Sequence, residues 1–170
     1  MQFGAKALTQ TWGVVLVKTL ILYGSKHGCT EKCAYLLGER LGTADVVDLN
    51  KSCQIPLDAY DGVIIGSSVY AGQINKAVRQ YCSANLAALQ QKQLGLFVCC
   101  GQPEKAMSQL ELGFPEELVQ SAIIKGYFGY QLDMKKLNLL ERLIVRALGR
   151  HKDELEIKHA AIESFADSFV

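Results

Sequence analysis

The sequence predicts an α/β domain: a doubly wound sheet of five parallel strands in the order 2-1-3-4-5, with helices on both faces. Three observations carry this. From residue 18 onward, apolar runs of strand length alternate with amphipathic stretches of helical length, the pattern of strand–helix–strand crossovers. The run Gly62–Gly66, GVIIG, lacks polar alternation, as a strand covered on both faces must. Thr19–Leu41, TLILYGSKHGCTEKCAYLLGERL, reads as a buried strand, a tight loop and an amphipathic helix in direct succession.

Lys18–Tyr23 is the first strand. The residues before it admit two readings, an N-terminal extension over 1–16 or a first strand lengthened to Gly13–Tyr23. The extension is preferred for Met1–Gln10, with Val14–Val17 adding to the strand's start, and the domain is expected over 17–170. Thr30–Leu41 is a helix with Ala34, Leu37 and Leu41 on one stripe, capped by Gly42. Asp45–Leu49 is the second strand. Asn50–Tyr60 is a loop, Gly62–Gly66 the third strand, Ser67–Gln73 a loop and Lys76–Leu89 a helix. Gln93–Cys100 is the fourth strand and Gly101–Glu104 a loop. Lys105–Leu112 and Pro115–Gln120 are short helical pieces. Ser121–Tyr130 is the fifth strand, Lys135–Gly149 a helix, and Glu154–Phe169 mainly the closing helix. No internal repeat or low-complexity segment interrupts the pattern.

The 170 residues suit one domain with one core. A net charge of +1 argues against a nucleic-acid footprint, which needs a strongly basic face. No apolar run approaches bilayer-spanning length. Val14–Val17 is a short apolar stretch with no small-residue cleavage site after it, a poor signal peptide, so a cytoplasmic protein is expected. Cysteines stand at 29, 33, 53, 82, 99 and 100. None forms a CxxC pair, and they read as reduced structural thiols. Cys29 and Cys33 share a helix face, but two thiols without a third or fourth ligand make a weak metal site. His27, His151 and His159 lack metal spacing, and no metal is expected.

The loop Gly24–Thr30 is the most informative segment. It opens directly onto a helix, whose first N–H groups and partial positive charge favour an anion. Its glycines admit close backbone approach, and Ser25 and Thr30 add hydroxyls, so Ser25, Lys26, His27, Gly28, Cys29 and Thr30 form a candidate phosphate cradle. Neither GxxxxGK[ST] nor GxGxxG is present, which sets aside the P-loop and dinucleotide fingerprints. In a sheet of this order ligands bind at the carboxyl ends of the strands, by the switch point between strands one and three. The next loops in line, Ser67-Ser68-Val69-Tyr70-Ala71-Gly72 and Cys100-Gly101-Gln102, also contain glycine and would complete the site. Tyr70 either stacks beside a flat ring or packs over the loop edge.

The pattern [ST]-x-x-G-x-T between strand and helix resembles the phosphate loop of the flavodoxin family. That resemblance implies a flavodoxin-like fold and FMN as cofactor, with the phosphate on Gly24–Thr30 and the isoalloxazine bracketed by the other two loops. Main-chain groups of Ser68–Gly72 and Gly101–Gln102 would then bond the flavin edge and tune its potential. His27 stands where many flavodoxins carry a hydroxyl; it either donates to the phosphate or faces solvent. Within the family, YDGVIIGSSVYAG at 60–72, PEK at 103–105 and GYFGYQLDMKKLNLLERLIVRALG at 126–149 resemble the menaquinone-dependent protoporphyrinogen dehydrogenase group, a long-chain variant with an insertion after strand five, here about 131–152. The resemblance spans about Lys18–Val170 and departs at Lys152–His159 and in a shortened strand-four loop. It implies an FMN-dependent oxidoreductase that takes electrons from a porphyrinogen-type substrate and passes them to a quinone acceptor. No carboxylate or histidine is placed beside the ring, so no acid–base residue is assigned.

The insertion carries Leu137, Leu140, Leu143, Ile144, Ala147 and Leu148 on one helical stripe. Over 135–152, Lys135, Lys136, Arg142, Arg146, Arg150 and Lys152 oppose Glu141 alone, a net charge of five. Such a helix, 135–150, suits an anionic membrane surface or the propionates of a tetrapyrrole, or else packs its stripe on the domain with its charges solvated. Two other functions stay open: an electron carrier without substrate chemistry, which the near-neutral charge disfavours because small electron-shuttling flavodoxins tend to be acidic, and a module that has lost FMN.

Overall fold

The structure is a computed structural model describing residues 17–52, 54–131, 139, 143 and 156–170. The extension 1–16, with Val14–Leu16 of the proposed strand start, lies outside the described residues, as do Cys53 and the insertion 131–152 except Gln131, Leu139 and Leu143.

Thr19–Gly24 forms β1, buried at all six positions. Its apolar residues alternate between two helix layers, which is why the segment carries no polar face. Ala44–Asp48 (β2) pairs parallel on one side of β1 and Gly62–Tyr70 (β3) on the other. Gln93–Cys99 (β5) and Ile124–Tyr127 (β6) extend the sheet parallel beyond β3. The path is β2-β1-β3-β5-β6, with the short β4, Gln73–Ile74, antiparallel to β3 and off the path. The five parallel strands thus follow the expected order, and β4 is additional.

The β3 strand continues through residues read from sequence as a loop. Ser67, Ser68, Val69 and Tyr70 stay extended, and the chain reverses over Ala71 (φ 50°) and Gly72 (φ 77°), positive-φ residues of the kind a tight primed hairpin turn demands. Register puts Gly24 beside Ser67 and Ser68 beside Cys99, so the carboxyl ends of β1, β3 and β5 lie side by side at the switch point.

Helix α1, Cys29–Leu41, buries Cys29, Cys33, Ala34 and Leu37 along one stripe and ends on Gly42 at φ 79°. The single helix expected over 76–89 is two, α2 (Lys76–Ala84) and α3 (Leu86–Leu89). Asn85 separates them: its N–H and Nδ2 both donate to the Tyr81 carbonyl, at 3.0 and 2.9 Å, a side-chain bond that competes with continued helix. Helices α4 (Ala106–Gly113) and α5 (Glu116–Ser121) follow β5, and α6 (His159–Phe169) closes the chain. The closing helix starts later than the sequence suggests because Ile157 pairs as a bridge with Gly129 and Lys158 N–H donates to the Phe128 carbonyl at 2.9 Å. The strand expected over 121–130 shrinks to four residues, since Ser121 ends α5.

Two apolar clusters sandwich the sheet. One joins Leu20, Leu22, Val63 and Ile65 to Val78, Leu110 and Leu118. The other joins Ile21, Ile64 and Phe97 to Leu37, Phe128, Phe165 and Phe169. In the second, Phe97 stacks on Phe128 at 4.4 Å between ring centroids and meets Phe165 edge-on at 6.5 Å. The Phe97 ring lies over Gly66, where a Cβ would come within 2.0 Å of its Cζ.

Candidate functional site

The three strand ends build the site. After β1 the chain turns over Gly28, left-handed at φ 90° at the head of α1. Gly28 N–H donates to Ser25 Oγ at 2.9 Å, and Asn50 Nδ2 donates to the Ser25 carbonyl at 3.3 Å, which fixes the loop's shape. Thr30 is fully buried, and among the described residues its Oγ1 has no hydrogen-bond partner. A buried polar atom without a partner costs about 1–3 kcal/mol, and this one lies in the first turn of a helix whose N–H groups favour an anion.

A narrow cavity at this point is lined by Ser25, Lys26, His27, Cys29, Thr30, Ser68, Val69, Tyr70, Cys99 and Tyr130. Beside it, an open cleft of about 430 Å³ is lined by Ser25, Lys26, Asn50, Ser68, Tyr70, Gln73, Ile74, Asn75 and Lys76. The cleft contains two lysines and no carboxylate among its lining residues, which suits an anionic ligand. Tyr70 is half-exposed, with Lys26 Nζ 3.2 Å from its ring centroid and the His27 ring edge-on at 6.1 Å. The phosphate-loop cation thus sits on the face of the hairpin's aromatic. Beneath them the Asn75 N–H donates to Ser67 Oγ at 2.9 Å while Asn75 Oδ1 caps α2 by accepting from Ala77 N–H at 2.9 Å, which ties β3 to α2. A Cβ at Gly24 would lie 2.6 Å from Asn75 Cγ and Val78 Cγ2, so the loop sits against α2 only because residue 24 is glycine.

Of the residues expected from sequence, Ser25, Lys26, His27, Cys29, Thr30, Ser68, Val69 and Tyr70 come together around these spaces. Gly28 shapes the loop, Ser67 is buried below it, and Ala71 and Gly72 make the hairpin turn. Cys100, Gly101 and Gln102 line neither space. Cys100 packs into the opposite cluster, because alternate residues of a strand point to opposite faces, and its place at the cavity is taken by Cys99. Sequence reading also missed Tyr130, Asn50 and Asn75. Asn75 had a signal, an N-cap residue ahead of a helix; the others are brought in by register.

Cys29, Cys33 and Cys99 place three buried sulfurs within 4.8 Å of one another, so the pair expected from sequence has a third thiol beside it. The Cys29 sulfur is held well below the usual thiol range, first by the Cys33 S–H, then by that of Cys99 and by the Gln131 N–H at 3.1 Å. Cys33 is raised, chiefly by the same bond to Cys29, and Cys99 chiefly by burial.

Fold and site together define an α/β domain with a glycine- and hydroxyl-bearing loop, opening onto a helix, at the switch point of its sheet. The chain belongs to the flavodoxin domain family, whose model matches residues 20–156. Similar solved structures include flavodoxin 1 of Bacillus cereus, at 17% identity and a TM-score of 0.58 over 89% of this chain and 96% of that one. A flavoprotein of Lactobacillus acidophilus in complex with FMN aligns at 18% identity and a TM-score of 0.50, over 65% of this chain and 93% of that one. The rubredoxin oxygen:oxidoreductase of Desulfovibrio gigas aligns at 15% identity and a TM-score of 0.52 over 89% of this chain, which spans only 36% of that protein. No curated protein matches by sequence. Among the described residues no helix is long and apolar enough to cross a membrane.

Proposed function

We propose that this chain binds FMN and transfers electrons, oxidising a porphyrinogen-type substrate and delivering the electrons to a quinone. The observation that carries the FMN reading is the orphaned Thr30 hydroxyl at the head of α1, a donor with no partner where a phosphate oxygen would sit. The loop amides and Ser25 would hold the phosphate with it, and the β3 hairpin and Cys99 at the end of β5 would flank the ring. When bound, the flavin supplies the acceptance and release of electrons. The chain's residues would bind it, orient it and keep water from its inner face through the buried Val69 and Cys99 near the ends of β3 and β5.

Thr30→Val tests the phosphate site, because it keeps the side chain's shape and removes only the hydroxyl. Calorimetry is expected to show FMN affinity falling about 10- to 150-fold, the equivalent of about 1.5–3 kcal/mol for a hydrogen bond to a charged group. The FMN-free protein should be no less stable than the parent, since the hydroxyl lost there had no partner. Unaltered affinity would remove the phosphate from this loop.

The substrate reading rests on the resemblance of the 60–72 and 126–149 segments and on the insertion. The described residues that flank it, Gly129 and Ile157, bridge each other one residue from Tyr130 in the cavity wall, which supports a partner of the insertion at the rim of the site. Leu139 and Leu143 are helical and 79% and 62% exposed, which favours an apolar or membrane-bound partner over packing on the domain at these positions. The test is anaerobic. Protoporphyrinogen IX should bleach the bound flavin's visible absorbance, and a quinone in anionic vesicles should restore it. Glutamates at Arg142, Arg146 and Arg150 should slow only the restoring phase. Flavin that stays oxidised would leave an electron carrier, and restoration at parental rate in the triple variant would end the membrane contact.

A further inference from the structure

We propose that Cys29, Cys33 and Cys99 form a three-sulfur binding site for a soft trivalent ion, arsenic(III) or antimony(III), at the base of the candidate phosphate loop, with which it shares Cys29. The three sulfurs come from two elements, the first turns of α1 and the end of β5, and lie within 4.8 Å of one another. All three residues are buried, Cys33 and Cys99 completely. Among the described residues no histidine or carboxylate joins the group, so the donor set is purely soft and selects a thiophilic ion. It is also three-fold, whereas structural zinc takes four ligands in a tetrahedron.

Charge decides among soft ions. Three thiolates around a monovalent ion leave a net charge of minus two, and around a divalent ion minus one. Around a trivalent ion they leave none, and an uncompensated charge in a buried apolar setting is costly. A trivalent pnictogen also bonds three ligands on one side of a lone pair, which needs no fourth donor. With arsenous acid, As(OH)3, three As–O bonds and the S–H bonds of Cys33 and Cys99 break and three As–S bonds form, the Cys29 sulfur entering as thiolate. The two thiol protons and one from solvent leave with the hydroxyl groups as three waters, and no atom changes oxidation state. Cys29 and Cys99 line the narrow cavity beside Tyr130, which gives the ion a way in.

The test uses the full chain, reduced, and sodium arsenite as probe. Titration followed by the near-ultraviolet sulfur-to-arsenic absorption should saturate at one ion per chain, and X-ray absorption should show three sulfur neighbours and no oxygen. Cys33→Ala and Cys99→Ala should each lose the three-sulfur signal, while Cys82→Ala, equally buried elsewhere, should keep it. No saturable binding, two sulfurs with an oxygen, or an unchanged signal in Cys33→Ala would overturn the site. If circular dichroism shows that an alanine variant does not fold, the sulfur count in the parent chain decides alone.

Discussion

Phe97→Ala is expected to cost about 3–5 kcal/mol of folding stability, the range for a large aromatic removed from a packed core. The ring is fully buried, stacked on Phe128 and set edge-on to Phe165, and its loss opens a cavity between sheet and α6 that Gly66 is too small to fill. The same geometry makes Gly66→Ala damaging alone, because its Cβ would enter the Phe97 ring at 2.0 Å; overpacking of this kind costs about 1–3 kcal/mol or more. The two changes are opposite errors at one contact. The double variant should therefore be more stable than the sum of the single losses predicts, by about 0.5–3 kcal/mol, the range of coupling between touching residues. Urea unfolding of the four proteins measures this, and strict additivity would show that Phe97 does not rest on Gly66.

Stability should also fall steeply under alkaline conditions. The Cys82 thiol, fully buried in the first cluster, is pushed up by burial from 9.0 to about 12. A group whose folded pKa is raised binds its proton more tightly in the folded chain, so its contribution is fully present below about pH 9 and is lost as pH climbs towards 12. Each pH unit in that window removes about 1.4 kcal/mol, or about 4 kcal/mol by its upper end. Tyr127, raised to about 12 mainly by burial, adds a smaller loss of the same sign. Cys82→Ala should have a visibly flatter decline between about pH 9 and pH 11 in urea titrations under reducing conditions, with the residual slope left by the tyrosines and by the raised thiols of Cys33, Cys99 and Cys100. Identical slopes in parent and variant would assign the decline elsewhere.

What could be read from the sequence was local. Gly24–Thr30 is a contiguous signal, and its glycines, hydroxyls and following helix announce an anion site whatever surrounds them. The apolar runs of β1, β3 and β5 announce a sheet covered on both faces. The hairpin after β3 was missed because Ser67 and Ser68 look like loop residues. They stay extended because Ser67 pairs with both β1 and β5 and Ser68 with β5, and because Ala71 and Gly72 can turn the chain in two residues. Asn85 breaks a helix without a glycine or proline, and Ile157 is taken from the closing helix by a strand pairing twenty-eight residues away; neither leaves a mark in local composition.

The sequence by itself determined the order of strands and helices, the glycine- and hydroxyl-rich character of the loop 24–30 and the basic character of the insertion, because periodicity, turn residues and charge act over a few neighbouring positions. Only the tertiary structure decided which cysteine faces the cavity, that Cys99 joins Cys29 and Cys33, and that Thr30 Oγ1 is buried without a partner. Those depend on sheet register, and moving a strand by one residue turns every side chain to the other face. No local stretch of sequence encodes that choice; the packing of both helix layers at once selects it.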